Sequence, residues 1–101
     1  MQLTTDNGAL TLPHMPTLFV PHQWRDLTGG RESIAVPEGT LRQALRGIEA
    51  EYPQFVERVR VDDALAPGIA VSIDGNFASR GLLAKIGPTS EVHFLPAVGG
   101  G

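Results

Sequence analysis

Apolar residues recur along this chain in two rhythms. In the middle of it Leu41, Ala44, Leu45, Ile48 and Tyr52 fall three and four residues apart, the period of one helix face, while Arg42, Arg46, Glu49 and Glu51 take the other side. Thr40 and Gln43 stand ahead of this stripe at the spacing of a capping box, so the pattern predicts an amphipathic helix packed on a sheet and ended by Pro53. Gly47 weakens that helix by up to about 1 kcal/mol relative to alanine. Elsewhere the rhythm is alternation, the mark of strands covered on one side. Pro16-Thr17-Leu18-Phe19-Val20-Pro21 is a strand bracketed by prolines, Glu32-Ser33-Ile34-Ala35-Val36 puts Ile34 and Val36 on one face, and Ile69-Ala70-Val71-Ser72-Ile73 is a third strand. In the last, Glu91-Val92-His93-Phe94-Leu95, Val92 and Phe94 point to the core while His93 and Leu95 point outward.

The connections fit this order. His22-Gln23-Trp24-Arg25-Asp26-Leu27 spaces Trp24 and Leu27 as a single helical turn would, and Thr28-Gly29-Gly30 reverses the chain, so the first two strands read as a hairpin with a wide connection and Trp24 as a core plug. Gln54 to Arg60 adds a short turn carrying Phe55 and Val59, Asp62 to Gly68 is a loop, and Asp74-Gly75-Asn76 is a tight turn that needs positive φ. Gly81-Leu82-Leu83 and Ile86 are small apolar anchors before a turn at Gly87-Pro88-Thr89-Ser90. Strand, strand, helix, strand, strand is the order of an α+β fold of the β-grasp (ubiquitin-like) type. It predicts a mixed sheet of about four to five strands with one main helix packed across it. Residues 15–96 form the domain, 1–14 are a polar N-terminal appendage with Leu3, Leu10 and Leu12, and 97–101 are a flexible glycine-rich tail.

Composition narrows the function. One domain is all that 101 residues hold, and the net charge of −3, from 11 acidic and 8 basic residues without a basic cluster, argues against nucleic acid as a partner. Cysteine is absent, which removes disulfides, thiolate metal sites and a thiol nucleophile together. No basic leader with an apolar core opens the chain and no apolar run reaches the length of a membrane span, so a soluble cytoplasmic protein that uses no membrane is expected.

The end of the chain carries the chemistry. On composition alone Gly99-Gly100-Gly101 is an unstructured end, but it stands directly behind the strand-like Val92-His93-Phe94-Leu95-Pro96-Ala97-Val98 and stops at a free carboxylate. Without a Cβ these residues can thread a narrow channel, and a nucleotide or a second backbone can approach the terminal carbonyl. Fully extended, Leu95 to Gly101 reaches on the order of 20 Å. His93, Leu95, Pro96 and Val98 form an apolar platform beside this tail on which a partner docks, so the terminus is a substrate and the body its adhesive.

The same residues carry a resemblance. Trp24-Arg25-Asp26-Leu27-Thr28-Gly29-Gly30, Val36-Pro37-Glu38-Gly39-Thr40-Leu41, Tyr52-Pro53, Val71-x-Ile73-Asp74-Gly75 and above all Glu91 through Gly100 resemble the MoaD/ThiS-type sulfur carriers, a ubiquitin-like family, from about Pro16 to the end of the chain. The resemblance implies a protein that is not itself an enzyme and holds no cofactor. An E1-like adenylating enzyme would use ATP to adenylate Gly101, the acyl-adenylate would become a thiocarboxylate, and a sulfur-accepting biosynthetic enzyme would take the sulfur. Thiamine, molybdopterin and cysteine synthesis are the pathways implied, and the Leu-Pro-Ala-Val tail favours the carriers linked to cysteine. The chain departs from the family in ending on three glycines where two are usual, so Gly101 is either the active end or an addition to be trimmed. Gly87-Pro88-Thr89-Ser90 replaces an acidic turn, and residues 1–14 have no counterpart.

Other polar groups offer less. His14, His22 and His93 lie at no metal-ligand spacing, Asp62-Asp63 has no calcium loop around it, and Thr28-Gly29-Gly30-Arg31 lacks the lysine of a phosphate loop. No catalytic or metal-binding residue is assigned. Lys85, the single lysine, reads as a surface cation. Two other readings of the chain stay open: a ubiquitin-like modifier joined to lysines of targets through the same tail, and a non-covalent β-grasp adaptor.

Overall fold

Hydrophobic alternation becomes a sheet in the computed structural model, which describes residues 15–96. Strands β1 (Thr17–Phe19) and β2 (Ser33–Ala35) form the expected hairpin, with Leu18 opposite Ile34. Its wide connection is a 3-10 helix, His22–Thr28, longer than the single turn predicted, closed by Gly29 in the left-handed conformation at φ 68°. A short β3 (Gly39–Thr40) leads into α1 (Leu41–Glu49). Both halves of the capping box are made: Gln43 N–H donates to Thr40 Oγ1 at 3.2 Å and Thr40 N–H donates to Gln43 Oε1 at 2.8 Å.

The helix is shorter than the stripe suggested. It stops at Glu49, and Tyr52 is the N-cap of a second helix, α2 (Pro53–Val59), in which Pro53 stands in the first turn. Proline serves well there, because its missing N–H would have no partner in any case and its φ is already helical. The loop that follows folds into a two-residue hairpin, β4 (Arg60–Val61) with β5 (Ala64–Leu65). Then β6 (Ile69–Ile73) turns through Asp74 (φ 54°) and Gly75 (φ 86°) into β7 (Asn76–Phe77). A 3-10 turn at Gly81–Leu83 and β8 (Lys85–Ile86), paired with β3, precede the last strand, β9 (Glu91–Pro96).

Among the described residues the main sheet has five strands in the order β2-β1-β9-β6-β7. The last strand is therefore the middle one, parallel to β1 and antiparallel to β6, and the sheet is mixed, as a β-grasp requires. One face lies under α1 and α2. Leu18, Ile34, Val71, Val92 and Phe94 from the strands meet Leu41, Ala44, Leu45, Ile48, Phe55, Val56 and Val59 from the helices in one buried cluster, with Trp24 plugging its end. Phe55 sits edge-on to both Phe94 and Trp24, at centroid distances of 5.9 and 6.5 Å.

Gly47 has a packing reason that the sequence did not disclose. A Cβ built there would lie 2.8 Å from Cγ of Pro37, so the glycine lets the chain between β2 and β3 press against α1. Gly47→Ala is accordingly expected to destabilise the domain by about 1 kcal/mol, the crowding against a proline ring outweighing the gain in helix propensity. A thermal melt of the variant checks this; a raised Tm would show that Pro37 gives way.

Candidate functional site

The site is built outward from β9. Its register is fixed on both sides, with Val92 opposite Leu18 and Ile73, and Phe94 opposite Val71. Val92 and Phe94 are buried at 0% and 3% exposure, so alternation turns Glu91, His93 and Leu95 to the opposite face, which no helix covers among the described residues and where Leu95 is 39% exposed.

Neighbouring strands complete this face. The His93 imidazole stacks flat on Phe19 of β1, with centroids 4.5 Å apart and planes 7° from parallel, and its Nε2 lies 3.6 Å from Oε1 of Glu91. On the other side Leu95 pairs with Ala70 and His93 with Ser72, and Ser72 pairs in turn with Phe77, an edge-strand residue that is 74% exposed. Among the described residues the result is an open sheet face of two adjoining rows, Phe19, His93, Ser72 and Phe77 in one and Leu95 and Ala70 in the next. Phe19, Ala70 and Phe77 were not singled out from the sequence. Alternation from Leu18 would have placed Phe19 outward, whereas Phe77 follows a tight turn in a strand too short to show a period.

A polar latch holds the start of β9. The Asp74 carboxylate accepts hydrogen bonds from the Ser90 hydroxyl and from the Glu91 N–H, each at 2.9 Å, and Ser90 Oγ accepts from Gly87 N–H at 2.9 Å. Asp74 N–H also donates to Glu91 O. The Gly87–Ser90 turn is thus closed by serine where an acidic turn was the family expectation, and the carboxylate comes from the β6–β7 turn.

Of the predicted partner-binding residues, His93 and Leu95 lie together on the open face, and Pro96 ends β9 opposite Ile69. Val98, Gly99, Gly100 and Gly101 lie outside the described residues, as do His14 and the 1–14 segment. His22 is exposed at the start of the 3-10 helix, far in sequence from His93, and Asp63 is paired bidentately with Arg42 at 2.7 and 2.9 Å. Among the described residues no group of three or more His, Cys, Asp or Glu could hold a metal, and no helix is long and apolar enough to cross a membrane.

A β-grasp whose central strand leads straight into a glycine terminus is a ubiquitin-like protein. Its relatives agree with that class. The profile of the ThiS family matches residues 18–101. The sulfur carrier protein CysO of Mycobacterium tuberculosis is 33% identical over 94 residues, covering 86% of this chain and 94% of that protein. In structure, the chain is similar to one from the Amycolatopsis orientalis BexX/CysO complex, with a TM-score of 0.77 and 26% identity over 85% of this chain and 99% of that one. SAMP1 from Haloferax volcanii shares the fold, with a TM-score of 0.68 at 22% identity over 85% of this chain and 98% of that one. The chain belongs to the ThiS family of ubiquitin-like sulfur carriers.

The two faces of β9 make opposite demands. Phe94→Ala is expected to cost about 3–5 kcal/mol, a large share of a small domain's stability. Leu95→Arg, on the open face, should melt within a few degrees of the parent. Circular dichroism melts of the two variants check the assignment, and the reverse order of stability would mean that the register is shifted by one residue.

Proposed function

We propose that this chain carries sulfur as a thiocarboxylate on Gly101 for a biosynthetic pathway of the cysteine type, in the cytoplasm. The observation that carries the reading is that the strand at the centre of the sheet leads directly into the glycine terminus, in a chain 33% identical to CysO sulfur carriers. A carboxylate is a poor electrophile at neutral pH, so it must be activated. In an E1-like enzyme the Gly101 carboxylate attacks the α-phosphate of ATP and pyrophosphate leaves. Sulfide sulfur then adds to the carbonyl carbon, AMP departs, and a thiocarboxylate remains for the acceptor enzyme. The charge that develops is stabilised by the enzyme's donors and its magnesium, and this chain acts as substrate and handle.

Ordering the tail in a channel costs about 1–2 kcal/mol of backbone entropy per residue, so the body must adhere nearby to offset it. The open sheet face, with His93 and Leu95 beside Phe19 and Phe77, is suited to this, and Pro96 and Val98 are the further partner contacts that the reading expects. The Amycolatopsis orientalis relative, present in a complex named for CysO and BexX, supports a protein partner for this kind of domain.

Incubated with a matching E1-like enzyme, ATP and a sulfur donor, the chain is expected to gain the mass of one oxygen exchanged for sulfur at its C-terminus. Intact-mass and C-terminal peptide spectrometry read this out. Sulfur at any other position, or none, would overturn the reading, and a ladder of lysine conjugates would favour a protein modifier. A bulky residue added after Gly101 should abolish the reaction, whereas a non-covalent adaptor would keep working. If Gly101 is trimmed in use, the sulfur will be found on Gly100.

A further inference from the structure

The tether between body and terminus is short. Five residues follow Pro96, and at roughly 3.3–3.6 Å each they span about 17 Å when fully extended. Any enzyme that closes around Gly101 must therefore touch the domain near the end of β9, and the surface adjoining that end is the open sheet face. Along β9 this face is polarised. Leu95 stands nearest the C-terminal end of β9 with Ala70 beside it, and Phe77 lies one row back, across Ser72 from His93. Four residues back, about 13 Å at roughly 3.3 Å per residue, stands Glu91. Its side chain is 63% exposed and has no lysine or arginine partner among the described residues, only the His93 imidazole at 3.6 Å. Beside it at the end of β6 the Asp74 carboxylate is already engaged by the Ser90 hydroxyl and the Glu91 N–H, and among the described residues the strands add no further carboxylate and, His93 apart, no basic side chain to the open face: β2 contributes Ser33 and Ala35, β1 Thr17 and Phe19, β6 Ala70 and Ser72, and β7 Phe77.

A partner that covered this face with apolar groups alone would strip water from the Glu91 carboxylate and give nothing back, which is costly for an unpaired charge. We propose that the enzyme holding the terminus carries two matched features. An apolar surface lies over Leu95 and Ala70, next to the channel that takes the glycines, and reaches Phe77 one row further back. A basic side chain lies about 13 Å further from the channel mouth and pairs with Glu91. The apolar contact supplies adhesion and the ion pair sets orientation, so that the tail enters its channel with the right polarity. The inference rests on the carrier reading and adds the chemistry of the surface that the carrier meets.

The test is stopped-flow association of the full chain with its E1-like activating enzyme, at low and high salt, for the parent, Glu91→Gln, Glu91→Arg and Leu95→Arg. Glu91→Gln is expected to slow association about 3- to 10-fold at low salt and Glu91→Arg about 10- to 100-fold. Both differences should shrink towards nothing near 1 M salt, where the screening length falls to about 3 Å. Circular dichroism should show both variants folded, since the side chain they replace is exposed. Unchanged rates at low salt, or losses that persist undiminished at high salt, would overturn the ion pair. Leu95→Arg separates this from the reading beneath it. If that variant associates normally, the face is not the docking surface at all; if it fails to dock while Glu91→Arg docks like the parent, only the basic partner is wrong.

Discussion

Phe94 seated edge-on against Phe55 is the contact from which the rest follows. It ties the middle strand of the sheet to α2, and with Val92 it decides which side of β9 is interior. Because a strand alternates, one buried ring fixes every neighbour: His93 and Leu95 must face out, and Pro96 pairs with Ile69. A slip of one residue would bury a histidine and a glutamate under the helices and turn two core side chains to water. The open face and the core are thus two readings of one register, and neither can be altered without the other.

Three further devices guard that register. The parallel ladder to β1 and the antiparallel ladder to β6 hold the strand along its length, and the Asp74 carboxylate grips its first residue through Ser90 and Glu91. Asp74 can do so because the tight turn places it at φ 54°, a conformation that aspartate tolerates better than most residues. Chemistry at the terminus therefore asks little of this chain's own side chains. On the proposed reading its contribution is geometric, a body that presents the terminus and a sheet face for a partner.

Much of this was legible in the residues. The capping box at Thr40 and Gln43, the hairpin of β1 and β2, the turn at Asp74-Gly75 and the inward Val92 and Phe94 all follow local rules of period and turn chemistry, and local rules are visible in sequence. The misread segments were set by tertiary packing. Tyr52 continues the helical period of α1 yet begins a new helix, because Pro53 is suited to opening a helix as much as to ending one. Gly47 looked like a weakness in α1 until Pro37 was seen against it. Phe77 was passed over because a two-residue strand has no period, and only its pairing with Ser72 shows that it shares a face with Leu95. The fold and the outward placement of His93 and Leu95 could be drawn from one sequence; the residues that share their face needed the sheet.

The central position of β9 also has a mechanical consequence. Its hydrogen bonds to β1 and β6 run across the strand axis, so a pull applied to the terminus along that axis loads both ladders in shear, with many bonds resisting at once rather than opening one by one. An edge strand pulled the same way would have one ladder to resist instead of two. A pull on the end of the chain would therefore meet the strongest resistance that the sheet can offer.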